Sequence, residues 1–155
     1  MEPEELLSAL PNILNQVFSE EVSPFLEGAP MWLLSRDETS ALVGVVTDPL
    51  QVRVTAGCAI GVPESPGLYR TLSAANSGLV VGRVYGVDNS AGGVNVVMQE
   101  IIMGAPLSFD HFPVMQDMVS RVSTVMNAAV RLGTDLRKEF GGRWCAPDLA
   151  YALID

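Results

Sequence analysis

An apolar stripe with the period of an α-helix runs through the last third of the chain, and it restricts the fold more than any other feature. The stripe predicts a helix over about residues 108–140, with Ser108 or Asp110 as its N-cap. A helix with one apolar side over roughly seven turns needs a broad apolar surface to pack against. The rest of the chain must supply that surface. The stripe comprises Met115, Met118, Val122, Val125, Ala129, Leu132, Leu136 and Phe140.

Short runs rich in β-branched residues predict a sheet as that surface. Three runs over about residues 31–60 are separated by turn signals, which favours an antiparallel meander. In the third run Val52 and Val54 alternate with Arg53 and its polar neighbours, a pattern typical of a sheet with one wet face. Two further strands, over about residues 79–87 and 92–103, flank a glycine-rich hairpin turn.

Two more helices are predicted ahead of the long one. Leucines at helical spacing predict an amphipathic helix over about residues 3–22, in which Pro11 should cause a kink or a break. Pro66 begins a short second helix, and the Asn-Ser-Gly sequence at residues 76–78 ends it. No position is predicted for the tail from Gly141 to Asp155.

This order of elements predicts a single α+β domain over residues 1–155, with its core in roughly residues 30–140. The expected order is a helix, three antiparallel strands, a helix, two strands and a long C-terminal helix. The helices would form one layer on an antiparallel sheet. The length of 155 residues suits one domain, and 48% hydrophobic residues with 17% charged ones exclude intrinsic disorder.

Composition also restricts partners and location. A net charge of −9 argues against nucleic-acid binding, because phosphates would be repelled. No apolar run reaches the ~20 residues of a membrane span, and the N-terminal residues lack the pattern of a secretory signal. We therefore expect a cytoplasmic protein with reduced cysteines. Lys138 is the only lysine beside eight arginines, which suggests a GC-rich bacterial genome.

The residues needed for catalysis or metal binding are scarce. His111 is the only histidine, and Cys58 and Cys145 stand apart, so a zinc site lacks ligands. His111 follows Asp110, and such a pair could orient a general base, although no recognisable nucleophile accompanies it. We expect no metal and no cofactor.

Five methionines are concentrated in the last strand and the long helix. Methionine fills irregular core gaps, and it also serves adaptable surfaces that bind varied apolar peptides. The charged residues of the first 29 positions are all acidic, which indicates either a solvated helix face or a docking surface for a basic segment. Both pairs of alternatives stay open at this point. The methionines are Met98, Met103, Met115, Met118 and Met126.

One stretch carries a family pattern. It is a leucine–aromatic–basic–x–leucine helix that ends in asparagine, followed by a glycine–arginine–x–tyrosine strand and then the long helix. The pattern resembles the YbjN-type sensory transduction regulators, which are grouped with the type III secretion chaperones. The residues that carry it are Leu68, Tyr69, Arg70, Leu72, Asn76, Gly82, Arg83 and Tyr85.

The resemblance implies a small acidic cytoplasmic protein that forms a homodimer and holds an apolar segment of a client protein. Candidate client-binding residues are Met98, Met103, Met115 and Met118, and the client is expected to carry some basic residues. The dimer would form through residues 68–76 and 79–87, which include the motif positions Leu68, Tyr69, Leu72, Asn76, Gly82 and Tyr85. The alternative is a small-molecule sensor or an enzyme with a pocket between the sheet and the long helix near His111.

Overall fold

The structure is a computed structural model that describes residues 3–17, 22–36, 39–103 and 112–154. For residues 17, 103 and 112–116 it describes the backbone but not the side chain. His111 lies outside the described residues, and so do Ser108 and Asp110, the two expected N-caps of the long helix.

The described elements alternate as the α+β prediction requires. Three α-helices and six strands precede a short 3₁₀ helix in the described part of the chain. In chain order they are α1 (Pro3–Val17), β1 (Val22–Pro24), β2 (Met31–Arg36), β3 (Thr39–Thr47), β4 (Leu50–Val62), α2 (Pro66–Gly78), β5 (Arg83–Asp88), β6 (Val94–Met103), α3 (Phe112–Phe140) and the C-terminal 3₁₀ helix (Pro147–Leu153).

The six described strands form one antiparallel sheet in the order β1-β2-β3-β4-β6-β5. Val54 of β4 pairs with Val43 and Glu100, while Arg53 pairs with Gly44 and Ile101. Paired residues share a face, so this register sorts the side chains into two sets. The helix face carries Val43, Val52, Val54, Ala56, Val84 and Met98, whereas the opposite face, here called the open face, carries Met31, Leu42, Arg53, Thr55, Arg83, Tyr85, Val87, Val97, Gln99 and Ile101.

The hydrophobic core lies between the helix face and the helices. Leu6, Leu10 and Leu14 of α1 join it from one side, and the stripe of α3 joins it from another. Helix α3 approaches β4 so closely that a Cβ at Gly133 would overlap the carbonyl of Cys58. The sheet therefore acts as the apolar surface that the long helix was predicted to need.

Several predicted boundaries are wrong. The first helix ends at Val17 rather than Val22, and Val22 begins the short edge strand β1, which the sequence analysis did not predict. Strand β5 begins at Arg83, because the apolar residues 79–82 form a bend. Pro11 neither splits nor ends α1, which continues through it as one helix.

The unassigned tail lies on the open face. The 3₁₀ helix packs against β2, β3 and β4, and Ile60 and Arg143 exchange backbone hydrogen bonds of 2.7 and 2.8 Å ahead of it. Tyr151 meets Phe25 with ring centroids 4.8 Å apart. The tail thus covers one part of the open face, and no other described segment covers the β5–β6 part.

Candidate functional site

The uncovered part of the open face holds a groove of about 270 Å³. Its floor is apolar, since Leu42 and Val97 are buried there, and one wall is the end of the tail at residues 152–154. Tyr85 and Val87 form part of its lining on the β5 side. The groove arises because the three α-helices pack on the helix face and the tail covers only part of the other.

The groove continues toward the first residues of β5 and the last residues of β6. A second hollow there is lined by Gly82, Arg83, Glu100 and Ile101, and it shares Tyr85 and Gln99 with the groove. Ile101 is 41% exposed, which is high for isoleucine in a strand of a folded sheet. Together the two hollows make one long surface across three strands, here called the open-face groove.

Polar groups in the groove are few and ordered. Gln99 Nε2 donates a hydrogen bond of 3.2 Å to Thr55 Oγ1, which joins neighbouring strands across the groove floor. Arg53 and Arg83 are exposed at its margins. An apolar floor with fixed amide and hydroxyl groups suits contact with a protein segment that offers side chains and backbone groups.

The tail is seated by one glycine. A Cβ at Gly57 would overlap Cys145 Cβ and lie 2.7 Å from Cys145 Sγ, so only glycine leaves room for the buried cysteine. Desolvation by burial raises the pKa of Cys58 and of Cys145 from 9.0 to about 12. Both thiols are therefore protonated and unreactive in the folded protein at neutral pH.

The methionine candidates whose side chains the structure describes, Met98 and Met118, do not line the groove. Met98 is 0% exposed and Met118 is 1% exposed, because both point into the core between the helix face and α3. Met126 is equally buried. The side chains of Met103 and Met115 lie outside the described residues. Of the two readings of the methionines, core packing is the one the structure shows for Met98, Met118 and Met126.

The motif residues of α2 and β5 have distinct places. Leu68 and Leu72 are buried in the core, while Tyr69 is exposed and donates a 2.8 Å hydrogen bond to Glu64 Oε1. Gly82 has φ +77°, and a Cβ there would come within 2.9 Å of the carbonyl oxygen of Gln99. Gly82, Arg83 and Tyr85 line the open-face groove, and Tyr85 contributes to both of its hollows.

Asn76 binds the outer edge of β5. Its Nδ2 donates to the carbonyl of Val84, and its Oδ1 accepts from the Val84 amide, each at 2.8 Å. At Val84, the side-chain amide of Asn76 thereby makes the two hydrogen bonds that a neighbouring strand would otherwise make. The asparagine that ends the α2 motif is thus a structural residue of the monomer.

The enzymatic alternative centres on residues that the structure does not describe, His111 and Asp110. Among the described residues, no three side chains of histidine, cysteine, aspartate or glutamate gather where they could hold a metal ion. Within the same residues, no helix is both long and apolar enough to cross a membrane.

Sequence analysis missed the open-face groove as a site. The only signal was the alternation at residues 51–55, which predicted one polar face and places Arg53 and Thr55 on it. The contributions of Tyr85, Gln99 and Ile101 depend on the pairing of β6 with both β4 and β5, which are distant in sequence. The position of the tail also decides where the groove ends, and no pattern in the tail predicted it.

This geometry has counterparts among solved structures. YbjN from E. coli, a candidate transcription regulator, matches with a TM-score of 0.58 and 12% identity, over 85% of this chain and 92% of that one. The chain has the fold of YbjN. The crystal structure of the ExsC–ExsE complex contains a chain with the same YbjN-like fold, at a TM-score of 0.62 and 15% identity, with 88% of this chain and 97% of that one covered.

These matches confirm the fold that the α2–β5 motif predicted. At 12–15% identity they establish the YbjN-like fold alone. No protein-family model matches the sequence, and no curated protein matches it either.

Proposed function

We propose that the protein is a non-catalytic, chaperone-like binding module that holds an apolar segment of a client protein in the open-face groove. The observation that carries this proposal is an apolar groove on the sheet face opposite the helices, in a fold shared with a chain of the ExsC–ExsE complex. The proposal moves the client surface from Met98 and Met118, which are buried, to Tyr85, Val87 and Ile101.

The shape of the groove favours a protein segment over a small molecule. Pockets for small molecules typically enclose about 300–1,000 Å³ and bury most of the ligand. The hollow at Val87 measures about 270 Å³ and continues into a wider hollow of about 600 Å³ at Ile101, and both lie open to solvent instead of enclosing a ligand. An elongated surface of this kind suits successive side chains of an extended segment.

The sheet edges favour recognition through side chains rather than strand addition. Strand addition needs a row of unpaired backbone groups, and Asn76 already occupies those of Val84 on β5. The opposite edge strand, β1, has three residues and includes Pro24. A client segment would therefore lie across the open face rather than extend the sheet.

The proposal includes two properties implied by the family resemblance, a homodimer and a cytoplasmic location. The bend at residues 79–82 supports the first, since Val80 is 98% exposed next to the apolar Leu79 and Val81. The two free cysteines are compatible with a reducing compartment, which supports the second.

A peptide array made from cytoplasmic and secreted sequences of a bacterial host, probed with the labelled protein, tests the proposed function. Peptides that bind above background are then titrated against the Ile101→Glu and Val80→Glu variants by fluorescence anisotropy. Each variant places one carboxylate at an exposed apolar position, but only Ile101 lines the groove. Ile101→Glu should weaken binding about tenfold, which corresponds to about 1.4 kcal/mol, and Val80→Glu should bind as the wild type does.

Two results would contradict the proposed function. The first is an array on which no apolar segment binds above background. The second is equal loss of affinity in both variants, which would place the binding surface away from the open-face groove.

A further inference from the structure

The open-face groove differs in charge from the rest of the molecule. The protein carries a net charge of −9, and the exposed glutamates Glu4 and Glu5 lie on α1, on the other side of the sheet. Of the described strand residues that point to the open face, only Arg53 and Arg83 are charged. Glu100 also lines the second hollow, but its carboxylate pairs with Arg121. An acidic protein thus presents two cationic side chains against one paired carboxylate at its proposed binding site.

The two arginines are spaced like positions on an extended chain. Arg53 on β4 and Arg83 on β5 pair with Ile101 and Gln99 of the intervening strand β6. Two strand spacings across and two residues along the strands put their Cα atoms about 12 Å apart. An extended segment covers that distance in three to four residues at ~3.3 Å per residue.

Within the described part of the chain, the guanidinium groups of Arg53 and Arg83 make no hydrogen bond and no ion pair. Glu100 of β6 lines the second hollow beside Arg83, although its register is that of the helix face. Its Oε1 lies 3.6 Å from Arg121 Nη1 of α3. The floor between the two arginines is occupied by the Gln99–Thr55 hydrogen bond.

We propose that the open-face groove binds an extended apolar segment bearing two carboxylates three or four residues apart, one for Arg53 and one for Arg83. This inference rests on the proposed function and specifies the chemistry of the client. Arginine is well suited to the task, because its planar guanidinium donates two parallel hydrogen bonds to a carboxylate. The client is therefore acidic at this site, in contrast to the basic segment expected from the sequence.

Three synthetic peptides of ten residues test the proposal. They share an alternating valine–threonine frame and differ at two positions four apart, which hold glutamate, glutamine or lysine. The glutamate peptide should bind most tightly and the lysine peptide least. Arg53→Gln and Arg83→Gln should each weaken the glutamate peptide about two- to fivefold, the range for exposed ion pairs, and leave the glutamine peptide unchanged.

Arg131→Gln is the matched control. Arg131 is an exposed residue of α3, and its substitution changes the net charge equally without touching the groove. A charge swap sharpens the test, because Arg53→Glu with Arg83→Glu should reverse the order and favour the lysine peptide.

The outcomes separate the two proposals. Equal affinity for the three peptides, with weaker binding in Ile101→Glu, would overturn the acidic specificity and leave the proposed function in place. Equal weakening by Arg131→Gln would also overturn it, since the effect would then follow net charge alone. If no peptide binds, and the array yields no binder either, both proposals are overturned.

Discussion

Single side chains decide how the exposed edge of this sheet is closed. Asn76 supplies one donor and one acceptor to Val84, at the outer strand β5. Unpaired backbone groups on such an edge would favour association with other chains. The asparagine satisfies them from the last turn of α2, so it also fixes the helix to the sheet.

Asn76→Ala should destabilise the protein by about 1–3 kcal/mol, because it removes two hydrogen bonds and leaves the part-buried groups of Val84 without a partner. Urea unfolding followed by circular dichroism measures this change. Ser77→Ala is the control, since the Ser77 hydroxyl only donates to the Ser73 carbonyl on an exposed surface. Equal effects of the two substitutions would show that the Asn76–Val84 contact contributes little.

The buried thiols make stability depend on alkaline pH. Burial raises the pKa of Cys58 and Cys145 from 9.0 to about 12, so between these values the unfolded chain loses protons that the folded chain keeps. Their contribution to stability is complete below about pH 9 and is lost as the pH rises toward about 12. The loss is at most about 1.4 kcal/mol per pH unit for each thiol.

Urea unfolding at pH 8 and pH 10 measures this dependence. The Cys58→Ala, Cys145→Ala double variant is the comparison, since it keeps every other titrating group. Wild type should lose more stability than the double variant over this interval. Parallel losses would show that the two thiols ionise alike in the folded and unfolded chains.

At the scale of elements, two glycines set how closely the layers pack on β4. Gly133 lets α3 meet the backbone of Cys58 on one side, and Gly57 lets Cys145 of the tail pack on the other. Strand β4 is therefore held between a helix and the tail at adjacent residues. The two contacts differ in how easily the partner can move. Gly133 meets the backbone of Cys58 within the sheet, whereas Gly57 meets the side chain of Cys145 in the tail.

Gly133→Ala should be strongly destabilising, by about 3 kcal/mol or more, because the added Cβ would overlap the Cys58 carbonyl and push α3 from the sheet. Thermal or urea unfolding measures the loss. The control is Gly78→Ala at the end of α2, where nothing lies within 4 Å of the added atom. A small effect at Gly133 would mean that α3 and β4 can separate at little cost.

Gly57→Ala should instead dislodge the tail while the sheet and helices stay folded. The added Cβ would overlap Cys145, which can move away with the rest of the tail. The Cys145 thiol would then react with a maleimide reagent under native conditions, and mass spectrometry would identify the modified residue. Continued protection of Cys145 would contradict this expectation.

The sequence predicted the elements whose partners are local and missed those that depend on distant pairing. The α3 stripe, including Met118 and Leu136, is buried as predicted, because helical period alone reports which side faces a core. Strand β1 is too short to show a period, and it exists only because Val22 pairs with Leu34. The predicted kink or break at Pro11 rests on propensity alone, which does not include the packing of Leu6, Leu10 and Leu14 that holds α1 together.

The candidate site was harder to predict than the fold. The groove lies where neither the helices nor the tail covers the open face, and no single stretch of sequence shows which part of a sheet stays exposed. Arg53 and Arg83 are far apart in sequence, and only the placement of β6 between their strands makes them neighbours. The client-binding surface was predicted at the methionines because composition cannot distinguish a buried methionine from an adaptable surface one.

For the molecule as a whole, we predict a homodimer that buries the exposed bend at Val80. Light scattering at micromolar concentration should give a mass of twice 16.6 kDa. Val80→Glu should shift the protein toward monomer, since a carboxylate in an apolar interface is costly. Ile101→Glu is the control and should leave the dimer intact. A wild-type mass of 16.6 kDa would contradict the prediction.

The position of the tail has a practical consequence for handling the protein. Residues 152–154 form one wall of the open-face groove, so a tag attached at the C-terminal end would begin next to the proposed client surface. Helix α1 lies across the sheet from that surface, with Leu6, Leu10 and Leu14 in the opposite core. We therefore expect an affinity handle or fluorophore at the N-terminal end to leave the groove accessible, and the same handle at the C-terminal end to compete with the proposed client segment.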